Sequence, residues 1–305
     1  MGDWLEGQVL ARKIRDEVKE EVEHFLKKEG ASPSLVGILI GANKASMVYL
    51  RMKEKRSKKL GIRSEILNFP QETTRASLMS KINELNLNKD VDGILVQLPL
   101  PASFNTYEVI SSILPEKDVD GFHPFNLGSL LMNQEGLKPC TPLGIMELLK
   151  SRDVPIEGKR VVIIGRSFIV GKPLAAMMTN EHGTVTICHS RTKILPQVAF
   201  EADILVAAIG RGALVTPDFV KEGAVVVDVG QNFVTTKTRA EELFGQDEKR
   251  KTDLEEKGYT IVGDVHPQVI EKAKLLTPVP GGVGPLTVAL LMRNTLEAFK
   301  KRRGF

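Results

Sequence analysis

Short apolar runs and amphipathic stretches alternate along most of this 305-residue chain, and that alternation leaves few folds open. In the first half the patterning predicts strands over 34–40, 64–69 and 93–97, separated by helices over 44–60 and 75–85. A helix over 6–27 precedes them, its apolar residues Val9, Leu10, Ile14, Val18, Val22, Phe25 and Leu26 recurring mostly at steps of three and four. The second half restarts the pattern, with strands over 160–164, 184–188, 204–208 and 224–228 and a helix over 170–181. Strands and helices in strict turn, joined by short connections, predict an α/β fold whose mostly parallel sheets are covered on both faces. Functional residues in such sheets gather at the carboxyl ends of the strands.

A single hydrophobic core seldom grows beyond about 250 to 300 residues, so two α/β domains are expected. A Gly- and Asn-rich stretch ending at Pro139 reads as the crossover. The first domain is then 1–139, completed by 277–305 with a last helix over 286–301, and the second is 140–276, a Rossmann-like parallel sheet. An interdomain cleft is expected to carry the site. The charged segment 234–257, with Arg239, Glu241, Glu242, Asp247, Glu248, Lys249, Arg250 and Lys251, breaks the order and reads as a surface excursion.

Hydrophobic residues at 42% and charged residues at 26% fit an ordinary globular protein. No apolar run approaches the roughly 20 residues that span a bilayer, so a membrane is not an expected partner. The acidic start, 1–6, lacks the apolar stretch of a secretory signal and reads as the beginning of a folded domain, although a cleaved targeting segment could already be missing. Cys140 and Cys188 are the two cysteines and have no C-x-x-C spacing, which predicts buried thiols, no zinc site and a reducing compartment, the cytoplasm or an organellar matrix. A net charge of +4 is too mild for nucleic-acid binding but favours small anionic ligands.

The apolar run 161–164 leads into Gly165-Arg166-Ser167-Phe168-Ile169-Val170-Gly171 and then a helix. Glycines there let backbone N–H groups approach a phosphate at a helix N-terminus. The spacing departs from G-x-G-x-x-G, so the loop alone also fits a packing turn. At the next strand end stands Cys188-His189-Ser190-Arg191-Thr192, where an NAD site usually presents an acid. A hydroxyl and an arginine there, with Arg166 in the first loop, provide donors for a 2′-phosphate and favour NADP over NAD; a solvated polar turn is the alternative.

Tyr49 and Lys53 are four apart, so they share one face of the helix expected over 44–60. A lysine beside an aromatic ring suits proton transfer on a flat conjugated ligand, but it stands in a basic run with Arg51, Lys55, Arg56, Lys58 and Lys59, and such runs are more often solvated helix surface. To exchange protons near neutrality the lysine pKa must fall from about 10.4 to near 8. Gln97, at a strand end, can orient the amine through its amide oxygen and spend its amide nitrogen on a ligand, or be a structural residue. Asp118 and Asp120 before Gly121 can accept from a pterin's N–H groups, singly or together, or merely cap a turn. No matching His or carboxylate cluster suggests a metal. The Pro- and Gly-rich turn 277–285 can wrap a ligand closely or simply end one domain.

Taken together, these segments resemble the bifunctional methylenetetrahydrofolate dehydrogenase/methenyltetrahydrofolate cyclohydrolase family over about 5–300. The resemblance rests on Ser46-Met47-Val48-Tyr49-Leu50-Arg51-Met52-Lys53, on Asp92-Gly93-Ile94-Leu95-Val96-Gln97-Leu98-Pro99-Leu100-Pro101, and on Pro115-Glu116-Lys117-Asp118-Val119-Asp120-Gly121-Phe122-His123-Pro124. Gly165-Arg166-Ser167 with Val170-Gly171, and 278–285, complete it. It implies NADP-dependent oxidation of 5,10-methylenetetrahydrofolate and hydrolysis of the product to 10-formyltetrahydrofolate, a one-carbon reaction that feeds purine biosynthesis. Lys53 is implied as general acid/base, Gln97 as its tuning partner, Tyr49 as a platform for the p-aminobenzoate ring and Asp120 as the pterin anchor. Pro280, Gly281 and Gly282 are implied to shape the folate site. Gly165, Arg166, Ser167, Val170, Gly171, His189, Ser190, Arg191 and Gln231 are implied at the cofactor, and a homodimer as the assembly. The chain departs from the family pattern in Gln231, where an aliphatic residue is usual, and in the length of 234–257. A monofunctional cyclohydrolase or dehydrogenase, or a non-catalytic nucleotide-binding protein, are the competing readings.

Overall fold

The computed structural model describes residues 2–245 and 247–305, apart from the side chains of Lys44 and Ala45. In chain order the elements are β1 Asp3–Trp4, α1 Gln8–Glu29, β2 Ser34–Ile40, α2 Lys44–Lys59, β3 Arg63–Phe69, α3 Arg75–Leu87, β4 Gly93–Val96, α4 Thr106–Ser111, α5 Pro124–Leu131 and α6 Cys140–Lys150. They continue with β5 Arg160–Ile164, α7 Gly171–Asn180, β6 Thr184–Cys188, α8 Leu195–Phe200, β7 Ile204–Ala207, β8 Val225–Asp228, β9 Asn232–Val234, α9 Lys237–Phe244, α10 Glu248–Lys257, β10 Thr260–Val262, β11 Leu275–Leu276 and α11 Val283–Arg303. No helix among the described residues is long and apolar enough to cross a membrane.

The chain divides into two compact units, 11–140 with 287–305, and 1–10 with 141–286. The division departs from the expected boundaries at 1–10 and 277–286. Asp3 and Leu5 donate their amides to Lys274 O and Leu276 O, which adds β1 to the sheet of the other unit beside β11. The stretch before Pro139 is not all connection, since His123 Nδ1 accepts from Phe125 N and Pro124 opens α5.

Among the described residues, the unit built on 11–140 holds a three-stranded parallel sheet in the order β3-β2-β4. The strands β2 and β4 are buried almost throughout, the reason their apolar runs are continuous and not alternating. Val36, Ile38, Ile40, Ile94 and Val96 pack on Leu78, Ile82 and Leu85 of α3. On α2, Ser46, Leu50, Lys53, Ser57 and Leu60 are buried at steps of four and three, while Arg51, Lys55, Arg56, Lys58 and Lys59 are exposed. That helix lies close over β2 because Gly37 has no side chain: a Cβ there would stand 2.7 Å from a Leu50 methyl. The closing helix α11 covers the same unit, with Phe299 against Phe25 at 5.4 Å and Arg302 paired to the buried Asp92 at 2.9 Å.

Among the described residues, the second unit carries a six-stranded sheet in the order β1-β11-β8-β7-β5-β6, parallel at every pairing. The strand β5 has β6 on one side and β7 on the other, so the chain reverses its direction of winding there, and ligands bind α/β sheets outside such a reversal. The excursion 234–257 is more than a loop; Gln246, within it, lies outside the described residues. Helices α9 and α10 adjoin the antiparallel pair β9-β10 over a small core of Ala213, Val234, Ala240, Leu243 and Val262.

Lys117 is wholly buried and gives its ammonium to three carbonyls at the end of α3, Leu85 O at 2.8 Å, Asn86 O at 2.7 Å and Asn88 O at 2.7 Å. These are the acceptors that a helix end leaves unpaired. Lys117→Met is expected to cost about 3 kcal/mol, roughly what losing charged hydrogen bonds and stranding their acceptors removes. A urea titration reads it, and an unchanged midpoint contradicts the cap.

Candidate functional site

The 11–140 unit brings Tyr49, Lys53, Gln97 and Asp120 into one neighbourhood. Lys53 is only 5% exposed, and its Nζ donates to Gln97 Oε1 at 3.2 Å and stands 4.9 Å from the centre of the Tyr49 ring. It therefore belongs to the inward face of α2 and not to the solvated basic run. Gln97 leaves β4 at its carboxyl end and returns one amide proton to Leu98 O at 2.9 Å, so at most one more serves a ligand.

The two aspartates part company. The Asp118 carboxylate accepts from His123 N at 2.6 Å and Asn126 Nδ2 at 3.0 Å, which makes it the organiser of the turn into α5. Burial lifts its pKa to about 7 against those hydrogen bonds. Asp120 is the one that feels Lys53: burial raises its pKa, and the Lys53 charge pulls it back. Burial, with the Asp120 charge behind it, pushes the Tyr49 phenol up to about 12, so it stays neutral. Asn294 of α11 fixes this loop by donating to Val119 O and Lys138 O, both at 2.9 Å. Neither cysteine forms a disulfide, and Cys140 is buried beside the cluster, its thiol pKa pushed up first by burial and then by Asp120.

In the other unit the loop after β5 has the features a pyrophosphate needs. Gly165 has φ +138°, and a Cβ on it would lie 2.3 Å from Ala208 O; a Cβ on Gly171 would lie 2.0 Å from Gly165 O. No side chain fits either place, so the backbone closes into a tight cradle at the N-terminus of α7. Ser167 Oγ accepts from Val170 N at 3.2 Å and Gly171 N at 3.5 Å, keeping its own proton to give, and Arg166 is exposed beside it. Because Ile164 pairs with Cys188, the loop 189–192 runs alongside. There His189 Nδ1 is taken up by Arg191 N at 3.1 Å and Thr192 Oγ1 by His189 N at 2.9 Å, which leaves Ser190 and Arg191 exposed at the rim. A parallel sheet, a glycine cradle at its reversal and cationic donors without an acid on the neighbouring strand suit a phosphorylated dinucleotide.

Gln231 follows β8 and is exposed, and its Nε2 would lie 2.8 Å from a Cβ on Gly284, so it adjoins the turn that holds Pro280, Gly281 and Gly282. That turn is anchored twice: Gly282 N donates to Pro278 O at 2.8 Å, and Gly7 N to Gly281 O at 3.0 Å.

Sequence reasoning missed Asp264. Wholly buried, it accepts Ile209 N at 2.6 Å and Gly210 N at 2.9 Å on one oxygen, and Arg211 N at 2.8 Å and Asn232 Nδ2 at 2.9 Å on the other. Asp228 in turn accepts Asp264 N at 2.8 Å. The pair holds the loop after β7, whose Ala208 walls the Gly165 cradle. Its only trace in the sequence is an aspartate after a short apolar run, which any turn would share.

The fold and these sites define a two-unit α/β enzyme of the nucleotide-dependent oxidoreductase class. The family description "Tetrahydrofolate dehydrogenase/cyclohydrolase, catalytic domain" matches residues 5–120, and the corresponding "NAD(P)-binding domain" matches 139–303. Among curated relatives, the bifunctional protein FolD of Koribacter versatilis is 50% identical over 300 residues, covering 98% of this chain and 97% of that one. FolD of Thermus thermophilus is 47% identical, with 98% of each covered. A crystal structure of the bifunctional enzyme FolD-methylenetetrahydrofolate dehydrogenase/cyclohydrolase from Campylobacter jejuni superposes with TM-score 0.88 at 41% identity, covering 99% of this chain and 100% of that one. The Trypanosoma brucei FolD, solved with NADP cofactor and inhibitor, gives TM-score 0.88 at 36% identity, with 98% of each covered. The chain belongs to the tetrahydrofolate dehydrogenase/cyclohydrolase family.

Asp264→Asn replaces an acceptor of four hydrogen bonds with a side chain that must turn one nitrogen toward a donor. Dinucleotide affinity, read by titration calorimetry, is expected to fall about tenfold, the worth of one charge-assisted hydrogen bond. Unchanged affinity removes the loop after β7 from the nucleotide site.

Proposed function

We propose that this chain oxidises 5,10-methylenetetrahydrofolate to 5,10-methenyltetrahydrofolate with NADP and hydrolyses the product to 10-formyltetrahydrofolate. The observation that carries the reading is the buried Lys53 ammonium held by Gln97 beside Tyr49 and Asp120. When bound, the oxidised dinucleotide supplies the two-electron acceptor. Gly165, Val170 and Gly171 shape the cradle for its pyrophosphate, Ser167 donates to it, and Arg166, Ser190 and Arg191 take the 2′-phosphate, with His189 shaping their turn. Gln231 is assigned to the cofactor, and the turn of Pro280, Gly281 and Gly282 borders the folate. Tyr49 stacks on its p-aminobenzoate ring, and Asp120 accepts from the pterin.

The methenyl carbon shares its positive charge with two nitrogens, so water adds there and loses a proton as the ring opens. Lys53, as the free amine, takes that proton and returns it to the ring nitrogen whose bond to the carbon breaks, and Gln97 orients the amine. The family resemblance also supports a cytoplasmic homodimer, which sedimentation reads directly.

With both activities assayed on one preparation, Lys53→Met is expected to lower hydrolysis at least about 100-fold, the usual contribution of a general acid/base, with NADP binding kept. Full hydrolysis in that variant sinks the assignment. Ser190→Asp sets a carboxylate against the 2′-phosphate and is expected to raise the KM for NADP about 30-fold while that for NAD changes little. An equal loss with both cofactors contradicts the placement of the 2′-phosphate.

A further inference from the structure

The charged segment 234–257 has no part in the reaction above, yet one of its side chains reaches the turn that does. Arg250, on α10, is half-buried. Its Nη1 donates to Thr260 Oγ1 at 3.1 Å and to Ile261 O at 2.5 Å on β10, and its Nη2 donates to Val279 O at 2.8 Å. The guanidinium carbon stands 4.4 Å from the centre of the Phe244 ring of α9. One cation thus ties α9, α10, β10 and the backbone immediately before Pro280.

Each of these three hydrogen bonds ends on a carbonyl or a hydroxyl, so the planar fork is spent on joining segments. Carbonyl oxygens in irregular chain must find donors when water is excluded, and a forked donor with fixed angles sets the spacing between the segments it joins. The small core of Ala213, Val234, Ala240, Leu243 and Val262 gives the two helices a firm seat from which to hold it.

We propose that Arg250 is a positioning residue for the Pro280-Gly281-Gly282 turn, and that α9 and α10 form a strap that holds this turn in the shape that receives folate. The inference rests on the folate reading of the turn. Its test therefore couples a folate measurement to one that is independent of folate. In the full-length enzyme Arg250→Met is expected to raise the KM for methylenetetrahydrofolate about tenfold, with kcat within about twofold and the KM for NADP unchanged, the effect of one lost charge-assisted hydrogen bond. Without any ligand, the amide protons of Gly282 and Gly7, which bond within and onto the turn, are expected to exchange about tenfold faster. Arg250→Lys keeps the charge and the stem but cannot bridge both segments, and is expected to fall between; it serves if the Met variant does not fold.

Unchanged exchange at Gly282 and Gly7 in a folded variant overturns the proposal. Faster exchange with an unaltered folate KM upholds the clamp and overturns the assignment of the turn to folate.

Discussion

A charge removed from water must be repaid by partners, and the manner of repayment separates the scaffold of this protein from its chemistry. Among the described side chains of the 11–140 unit two lysines are buried. Lys117 satisfies all three of its protons with helix-end carbonyls and has nothing left to give. Among the described residues Lys53 donates to one side-chain amide, that of Gln97, and stands beside the Tyr49 ring with its charge felt by Asp120. The first is a cap and the second is the lysine proposed for the chemistry, and burial alone does not tell them apart.

The aspartates repeat the distinction. Asp118, Asp228 and Asp264 are filled by backbone and amide donors and organise turns. Asp120 is instead tied electrically to Lys53, with burial raising its pKa and the lysine lowering it. A carboxylate saturated by protein donors builds structure, whereas one whose main electrostatic neighbour is a lysine fits the ligand-accepting role proposed for Asp120.

How far the sequence was legible follows the same physics. The strands over 34–40 and 160–164 were readable to the residue, because apolar runs in a parallel sheet end where burial ends; 184–188 was equally readable although its residues before Cys188 are largely exposed, since β-branched residues fill it. The two-residue strands β1 and β11 carry no period, and their pairing is a tertiary event that moved the first residues to the other unit. The phase of α2 was present in the sequence, since Leu50, Ser57 and Leu60 set a face that also includes Lys53; the neighbouring basic residues masked it. The partnership of Lys53 with Gln97 spans 44 residues and of Asp264 with Ile209 spans 55, distances at which spacing says nothing. Only the family resemblance made the first of these visible in advance.

The nucleotide loop shows why resemblance and geometry need each other. Its glycine spacing departs from the generic fingerprint, yet a Cβ at Gly165 would strike Ala208 O and one at Gly171 would strike Gly165 O. What a phosphate requires is close backbone approach at a helix start, and more than one glycine pattern delivers it. The buried pair Asp228 and Asp264 then explains why that approach is stable: the loop whose carbonyl bars a side chain at Gly165 is itself fastened by three amide hydrogen bonds to one carboxylate. Rigidity at the carboxyl end of this sheet thus comes from carboxylates whose charge is spent on protein donors.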